Sequence, residues 1–123
     1  MATVFNDAFG STATLCTGQT GNGDSTNIWD RGNLRGPALL TIVSTIGGSP
    51  TVTVTIQGSM DGSVWWSIPY SLPATPETLA VAALTITTAV TGNYILRGSH
   101  PWRFMKLLLA SNNNVTLTAT VTP

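Results

Sequence analysis

Apolar and polar residues alternate with a period of two along much of this chain, most plainly in PTVTVTIQGSMDGSVWWSIP (residues 50–69). Val52, Val54 and Ile56 interleave with Thr51, Thr53 and Thr55, which places the apolar side chains on one face of a strand. Asp61-Gly62 is a pair suited to a tight hairpin, because glycine takes positive φ without steric cost. Val64, Trp65, Trp66, Ile68 and Tyr70 then read as a return strand of β-branched and aromatic residues. The last segment, VTLTATVT (residues 115–122), alternates strictly. Val52, Val54, Ile56, Leu117, Ala119 and Val121 are therefore expected in the core.

Between these segments the chain reads as further strands and turns. STATLCT (residues 11–17) is a short strand, GQTGNGDS (18–25) a loop, and Ile28-Trp29 a brief strand before the polar turn DRGNLRG (30–36). PALLTIVSTI (37–46) is a longer strand with Leu40 and Ile42 on one face and Leu39 and Val43 on the other. That double apolar load predicts cover on both sides. Gly47-Gly48-Ser49 reads as a turn, LPATPET (72–78) as a loop interrupted by proline, and residues 79–88 as a loop followed by a strand. After a strand at Tyr94-Ile95-Leu96-Arg97, WRFMKLLLA (102–110) is strongly apolar. Met105, Leu107 and Leu109 face one side, with Trp102, Phe104 and Leu108 on the other. The second side needs cover from a loop, from the N-terminal segment or from another chain. Ser111-Asn112-Asn113-Asn114 reads as a tight turn. The sum is an all-β, antiparallel β-sandwich of about eight strands. Residues 11–123 form the domain, and residues 1–10 an N-terminal arm bearing Phe5 and Phe9.

Composition narrows the function classes. Charged residues are only 8%, against a usual ~25%, and five basic residues balance five acidic ones. Threonine, serine, asparagine and glycine take the place of charge, so the chain has no electrostatic footprint for nucleic acid or an anionic membrane. A start lacking a basic, apolar leader, and the want of a ~20-residue apolar run, predict a soluble protein made in the cytoplasm. The single cysteine, Cys16, reads as a small buried residue.

Candidate chemistry is sparse. One histidine and one cysteine do not suggest a metal site, and His100 stands before Pro101 in what reads as a turn. Asp30 and Asp61 read as turn formers, and no phosphate-binding loop is present. No catalytic, metal or cofactor residue is assigned. The four tryptophans offer two readings: a sugar-stacking platform, or burial in the core or at a subunit interface. Trp65 and Trp66 are adjacent and must point to opposite faces, so one enters the core and the other finds outside cover or is exposed.

The string TVTVTIQGSMDGSVWWSIP, the later WRFMKLLLA and the threonine-alternating final strand resemble the decoration (cement) proteins of tailed-phage capsids. Within that group they look most like the jelly-roll cement proteins of short-tailed phages. The resemblance covers residues 36–123 in order of elements, and it carries no catalytic motif. It implies a sandwich on the exterior of the virion that binds the major capsid protein and stabilises the shell. It also implies a homo-oligomer, a trimer favoured and a dimer as the alternative. Candidate capsid or oligomer contacts are Phe5, Phe9, Arg31, Arg35, Trp66, Trp102 and Phe104. The alternative is a carbohydrate-binding, lectin-like module of a phage fibre or tail.

Overall fold

The computed structural model describes residues 3–6, 12–32, 37–96 and 102–123. Its strands are β1 (Thr3–Asn6), β2 (Ala13–Gln19), β3 (Gly23–Asp24), β4 (Asn27–Asp30), β5 (Ala38–Ser59), β6 (Trp66–Ser67), β7 (Tyr70–Leu72), β8 (Thr75–Ala80), β9 (Leu84–Ile86), β10 (Thr91–Leu96) and β11 (Phe104–Thr122). The fold is all-β and antiparallel, with one parallel pair among the described residues, β1 on β4 from Thr3↔Asn27 to Asn6↔Asp30. The described residues hold eleven strands where about eight were expected. β1, β3 inside GQTGNGDS and β8 carrying Pro76 form where an arm or loops were predicted. The return strand splits into β6 and β7, while expected strands merge pairwise into β5 and β11. Pro76 is tolerated because β8 ends the sheet path, where a missing ladder donor costs little.

Two long strands, β5 (22 residues) and β11 (19 residues), form the frame. They pair antiparallel from Phe104↔Ser59 to Thr122↔Leu39. The segments predicted as chain-reversing turns, Gly47-Gly48-Ser49 and Ser111 to Asn114, instead lie opposite each other inside this ribbon. There the register shifts twice: residues 47–50 of β5 face Asn114 alone, and beyond the single pair Asn113↔Thr51, Ser111 and Asn112 face Val52 alone. Ser49, Ser111 and Asn114 adopt left-handed φ values of 52°, 53° and 55°. Asparagine side chains replace the lost ladder bonds. The Asn113 amide donates to the Ser49 carbonyl at 2.7 Å and the Asn114 amide to that of Gly48. Val115 N–H donates to Asn112 Oδ1 at 3.1 Å. A bulge of this kind bends and twists a ribbon without ending it.

The bend divides the sheet into two halves. In the first, β2 flanks β11 and β10 flanks β5, with β7 and β8 beyond; in the second, β3 and β4 pair with β11, and β6 and β9 with β5. The alternation keeps its phase through the bend. Leu40, Ile42, Val52, Val54 and Ile56 point inward from β5. Met105, Leu107, Leu109, Val115, Leu117, Ala119 and Val121 do so from β11, and all share one apolar core. The core expectations for Val52, Val54, Ile56, Leu117, Ala119 and Val121 hold, each being at most 3% exposed. Cys16 is buried too, and burial pushes its thiol up, away from the reactive thiolate.

Candidate functional site

Three features carry the polar and aromatic side chains that could meet a partner. The first is the corner where β4 ends and β11 begins. Backbone bonds lock it, Arg31 N–H donating to the Arg103 carbonyl at 3.0 Å and Arg103 N–H to that of Ser59 at 2.8 Å. Arg31 was expected as an exposed polar contact, but it is 2% exposed. Its Nε donates to the Trp102 carbonyl at 2.8 Å, and its guanidinium lies 3.6 Å above the Trp102 ring. Guanidinium is weakly hydrated and stacks on indole, so an arginine can be buried here. Trp102 was expected at an interface between chains. It is fully buried in its own core, with its ring centroid 5.8 Å from that of Trp29. Neither residue is a surface contact. Phe9 and Arg35 lie outside the described residues, and the backbone of Phe5 lies in β1.

Asp30 ties the same corner together. Its carboxylate accepts from Arg103 Nε at 2.8 Å and Nη2 at 3.0 Å, and from Gly32 N–H at 2.8 Å. The Arg103 hydrogen bonds hold this carboxyl below the usual range, against the opposing effect of burial. A carboxyl depressed in the folded state contributes stability above its unfolded pKa, and that contribution is lost as pH falls through the folded pKa. Asp30→Asn should therefore cost about 1 kcal/mol at neutral pH, a modest figure because Arg103 is half exposed to screening solvent. The cost should vanish at the acid end of a urea-unfolding series run from neutral pH downward. A deficit independent of pH would show that the carboxylate charge contributes nothing.

The second feature is the loop of residues 60–65, where a two-residue turn was expected. Ser59 Oγ accepts from Gly62 N–H at 2.9 Å, and Asp61 Oδ1 from Ser63 and Val64 N–H at 2.8 and 3.0 Å. The bonds from Val64 and Ser63 N–H, with that from the Ser59 hydroxyl, also lower the Asp61 pKa. The return strand shrinks to β6, paired Gln57↔Ser67 and Gly58↔Trp66. The freed loop covers the outer side of β11, where Gly62, at φ 81°, sits beside the Phe104 ring. Trp65 lies over Lys106, whose ammonium is 4.4 Å from the ring centroid and 2.8 Å from Asp24 Oδ1. Phe104 and Lys106 on the outer side of β11 thus gain cover from this loop, whereas Trp102, expected on that side, turns into the core. Trp66 packs against the core, so of the adjacent tryptophans one turns inward and one finds outside cover. Trp66 and Phe104 are half-buried in their own chain, which leaves each only part of its surface for a partner.

The third feature was missed. On the outer side of the first half, Leu39 is 38% and Val43 42% exposed, so this strand is covered on one side and not on both. Across the ladder Leu39 stands between Thr122 and Ile95, Thr41 between Thr120 and Asn93, and Val43 between Thr118 and Thr91. Thr41 donates to Asn93 Oδ1 at 2.9 Å. No residue of these rows is charged. The double apolar load of PALLTIVSTI was the available signal.

Among the described residues no three His, Cys, Asp or Glu side chains converge as a metal site, and no helix is long and apolar enough to cross a membrane. No protein-family model matches the chain, and neither does any curated protein. Among solved structures, the fold is similar to that in the crystal structure of the SPBc2 prophage-derived protein YomS. The TM-score is 0.64 over 91% of this chain and 90% of that one, at 7% identity. At that identity the likeness is one of fold.

Proposed function

We propose that this chain is a structural protein of a tailed-phage particle, and more narrowly a decoration protein that binds the major capsid protein on the outside of the shell. The observation that carries the reading is a fold shared over nine-tenths of both chains with a prophage-derived protein. The resemblance of the strand and turn strings to capsid cement proteins adds to it. The polar side chains that could suggest chemistry have structural tasks. Asp30 and Arg103 close a corner, Asp61 caps a loop, and Lys106 is held between Asp24 and Trp65. The chain acts without catalysis or cofactor, on the virion exterior.

The lectin reading needs an open tryptophan. Trp29 and Trp102 are buried, Trp66 packs on the core, and Trp65 is half-buried over Lys106, so no tryptophan is an exposed platform. The proposed shell contacts are the arm, with Phe5 and Phe9, and Arg35. A decoration protein holds through several modest contacts made at once, and an uncharged contact surface avoids the cost of desolvating ions.

The test uses expanded shells of the parent phage, stripped of decoration and mixed with the purified chain. The full chain is expected to decorate them and raise their resistance to heat. Deleting residues 1–9 removes only edge strand β1 from the described sheet, so the fold should survive while occupancy falls by about tenfold or more. Equal decoration by the truncated chain would remove the arm from the interface. Failure of the full chain to bind shells, with retention on a glycan surface, would replace the proposal by the lectin reading.

A further inference from the structure

The chain has a single asparagine followed by glycine, Asn22-Gly23, at the entry to β3. Asn22 is exposed, yet its Oδ1 accepts from the Asn112 N–H at 2.7 Å. Asn112 lies where β11 leaves the β5 register, so this side chain supplies an acceptor to a backbone donor inside the bend. Gly23 has a φ of 103°, and beyond its chain neighbours nothing lies within 4 Å of where a Cβ would stand. It is also the end pair of a two-residue strand, opposite Leu109, and fraying of that one pair presents its nitrogen.

We infer that Asn22 is a site of spontaneous chemical modification, its amide converting to aspartate and isoaspartate through a cyclic imide closed by Gly23. The Gly23 nitrogen, having given its proton to hydroxide, attacks Asn22 Cγ and forms a C–N bond. The charge passes to Oδ1, which the Asn112 N–H already faces at the distance that stabilises an oxyanion. The Cγ–Nδ2 bond then breaks, and the departing nitrogen takes a proton from water and leaves as ammonia. Water opens the imide at either carbonyl. Addition at Cγ gives aspartate, and addition at the main-chain carbonyl gives isoaspartate. One water is consumed and one ammonia released, with no oxidation or reduction. Every other asparagine precedes a residue with a side chain, which crowds the attacking nitrogen. Asp61-Gly62 offers the same ring, but its electrophile is a carboxylate, a poor acceptor of a nucleophile. Its Oδ1 is held by Ser63 and Val64 N–H, and the Gly62 N–H is bonded to Ser59 Oγ.

The two products act differently on the bend. Aspartate keeps an acceptor for Asn112 and adds a negative charge to a chain of zero net charge. Isoaspartate threads an extra carbon into the backbone before Gly23. Its pendant carboxylate is one carbon shorter, which withdraws it from the Asn112 N–H.

The folded full chain, aged at mildly alkaline pH beside chain held unfolded in urea, provides the test. Peptide mapping by mass spectrometry locates the conversion, and an isoaspartate-specific methylating enzyme reports the rearranged product. In the folded chain Asn22 should convert about tenfold faster or more than any other asparagine, at a rate that rises with pH. Asn22→Gln, which would need a larger ring, should keep the fold and lose the conversion. Ion exchange separates the charged products from the parent. Amide exchange at Asn112 should be faster by about tenfold or more in the isoaspartyl form, and within about threefold of the parent in the aspartyl form. An Asn22 that survives in the folded chain while converting in urea would overturn the assignment. So would conversion no faster than at Asn113. Equal Asn112 exchange in the parent and the isoaspartyl form would overturn the link to the bend.

Discussion

Trp102→Ala should cost about 3–5 kcal/mol, toward the upper end for a buried aromatic truncation, and urea or thermal unfolding would read it. Trp102 is fully buried, tilted by 59° against Trp29, and roofed by the Arg31 guanidinium. Truncation opens a void at the start of β11 and takes the aromatic face from a cation that is itself almost fully buried. Trp102→Phe separates the two effects. It keeps a ring beneath the guanidinium, and the indole N–H it removes has no hydrogen-bond partner among the described residues. Nothing is left unpaired on that account, so the phenylalanine variant should lose only about 1–2 kcal/mol through imperfect packing. A loss below about 1 kcal/mol for the alanine variant would mean that the corner can collapse, and that Arg31 does not depend on the ring.

The alternation announces the strands, and it also holds a clue to their length. The inward residues of β5 are even-numbered on both sides of Gly47-Gly48-Ser49-Pro50, and those of β11 are odd-numbered on both sides of Ser111 to Asn114. Separate strands joined by turns have no need to keep that phase. Glycine, serine and asparagine mark a departure from regular strand backbone, such as the left-handed φ of Ser49, Ser111 and Asn114. Whether the chain then reverses or only bends depends on what pairs with it. Here two such segments pair with each other, and a bend results.

The candidate contacts were less legible, for a different reason. Arg31 stands in a polar, glycine-bordered stretch that resembles a solvated turn, and its burial depends on Trp102, 71 residues away. No local pattern carries that contact. The two-sided load on WRFMKLLLA was visible; the loop that follows Ser59 in the same chain covers Phe104, and Trp102 turns into the core. The load on PALLTIVSTI was equally visible, but among the described residues nothing covers its second side, and Leu39 and Val43 are exposed. The same pattern thus has two outcomes, and only the tertiary neighbours tell them apart.

Gly58→Ala is expected to destabilise by about 1–3 kcal/mol, a large effect for one added methyl group. A Cβ at this position would lie 2.6 Å from Ile68 Cδ1, 2.8 Å from Ile68 Cγ1 and 2.9 Å from Trp102 Cβ. The first of these atoms ends a side chain and can move. The other two sit close to backbone that is pinned, since Ile68 N–H donates to the Ile56 carbonyl at 2.9 Å and Arg103 N–H to that of Ser59. Close packing leaves no room for them to give way without shifting a strand. Glycine is therefore required here for space, at the point where β5, β6 and the entry to β11 meet. Ile68→Val removes the nearest clashing atom, so a double-mutant cycle should show the pair costing less than the two single variants added together, by about 0.5 kcal/mol or more. Strict additivity, or a Gly58→Ala protein as stable as wild type, would show that this junction is looser than its distances indicate.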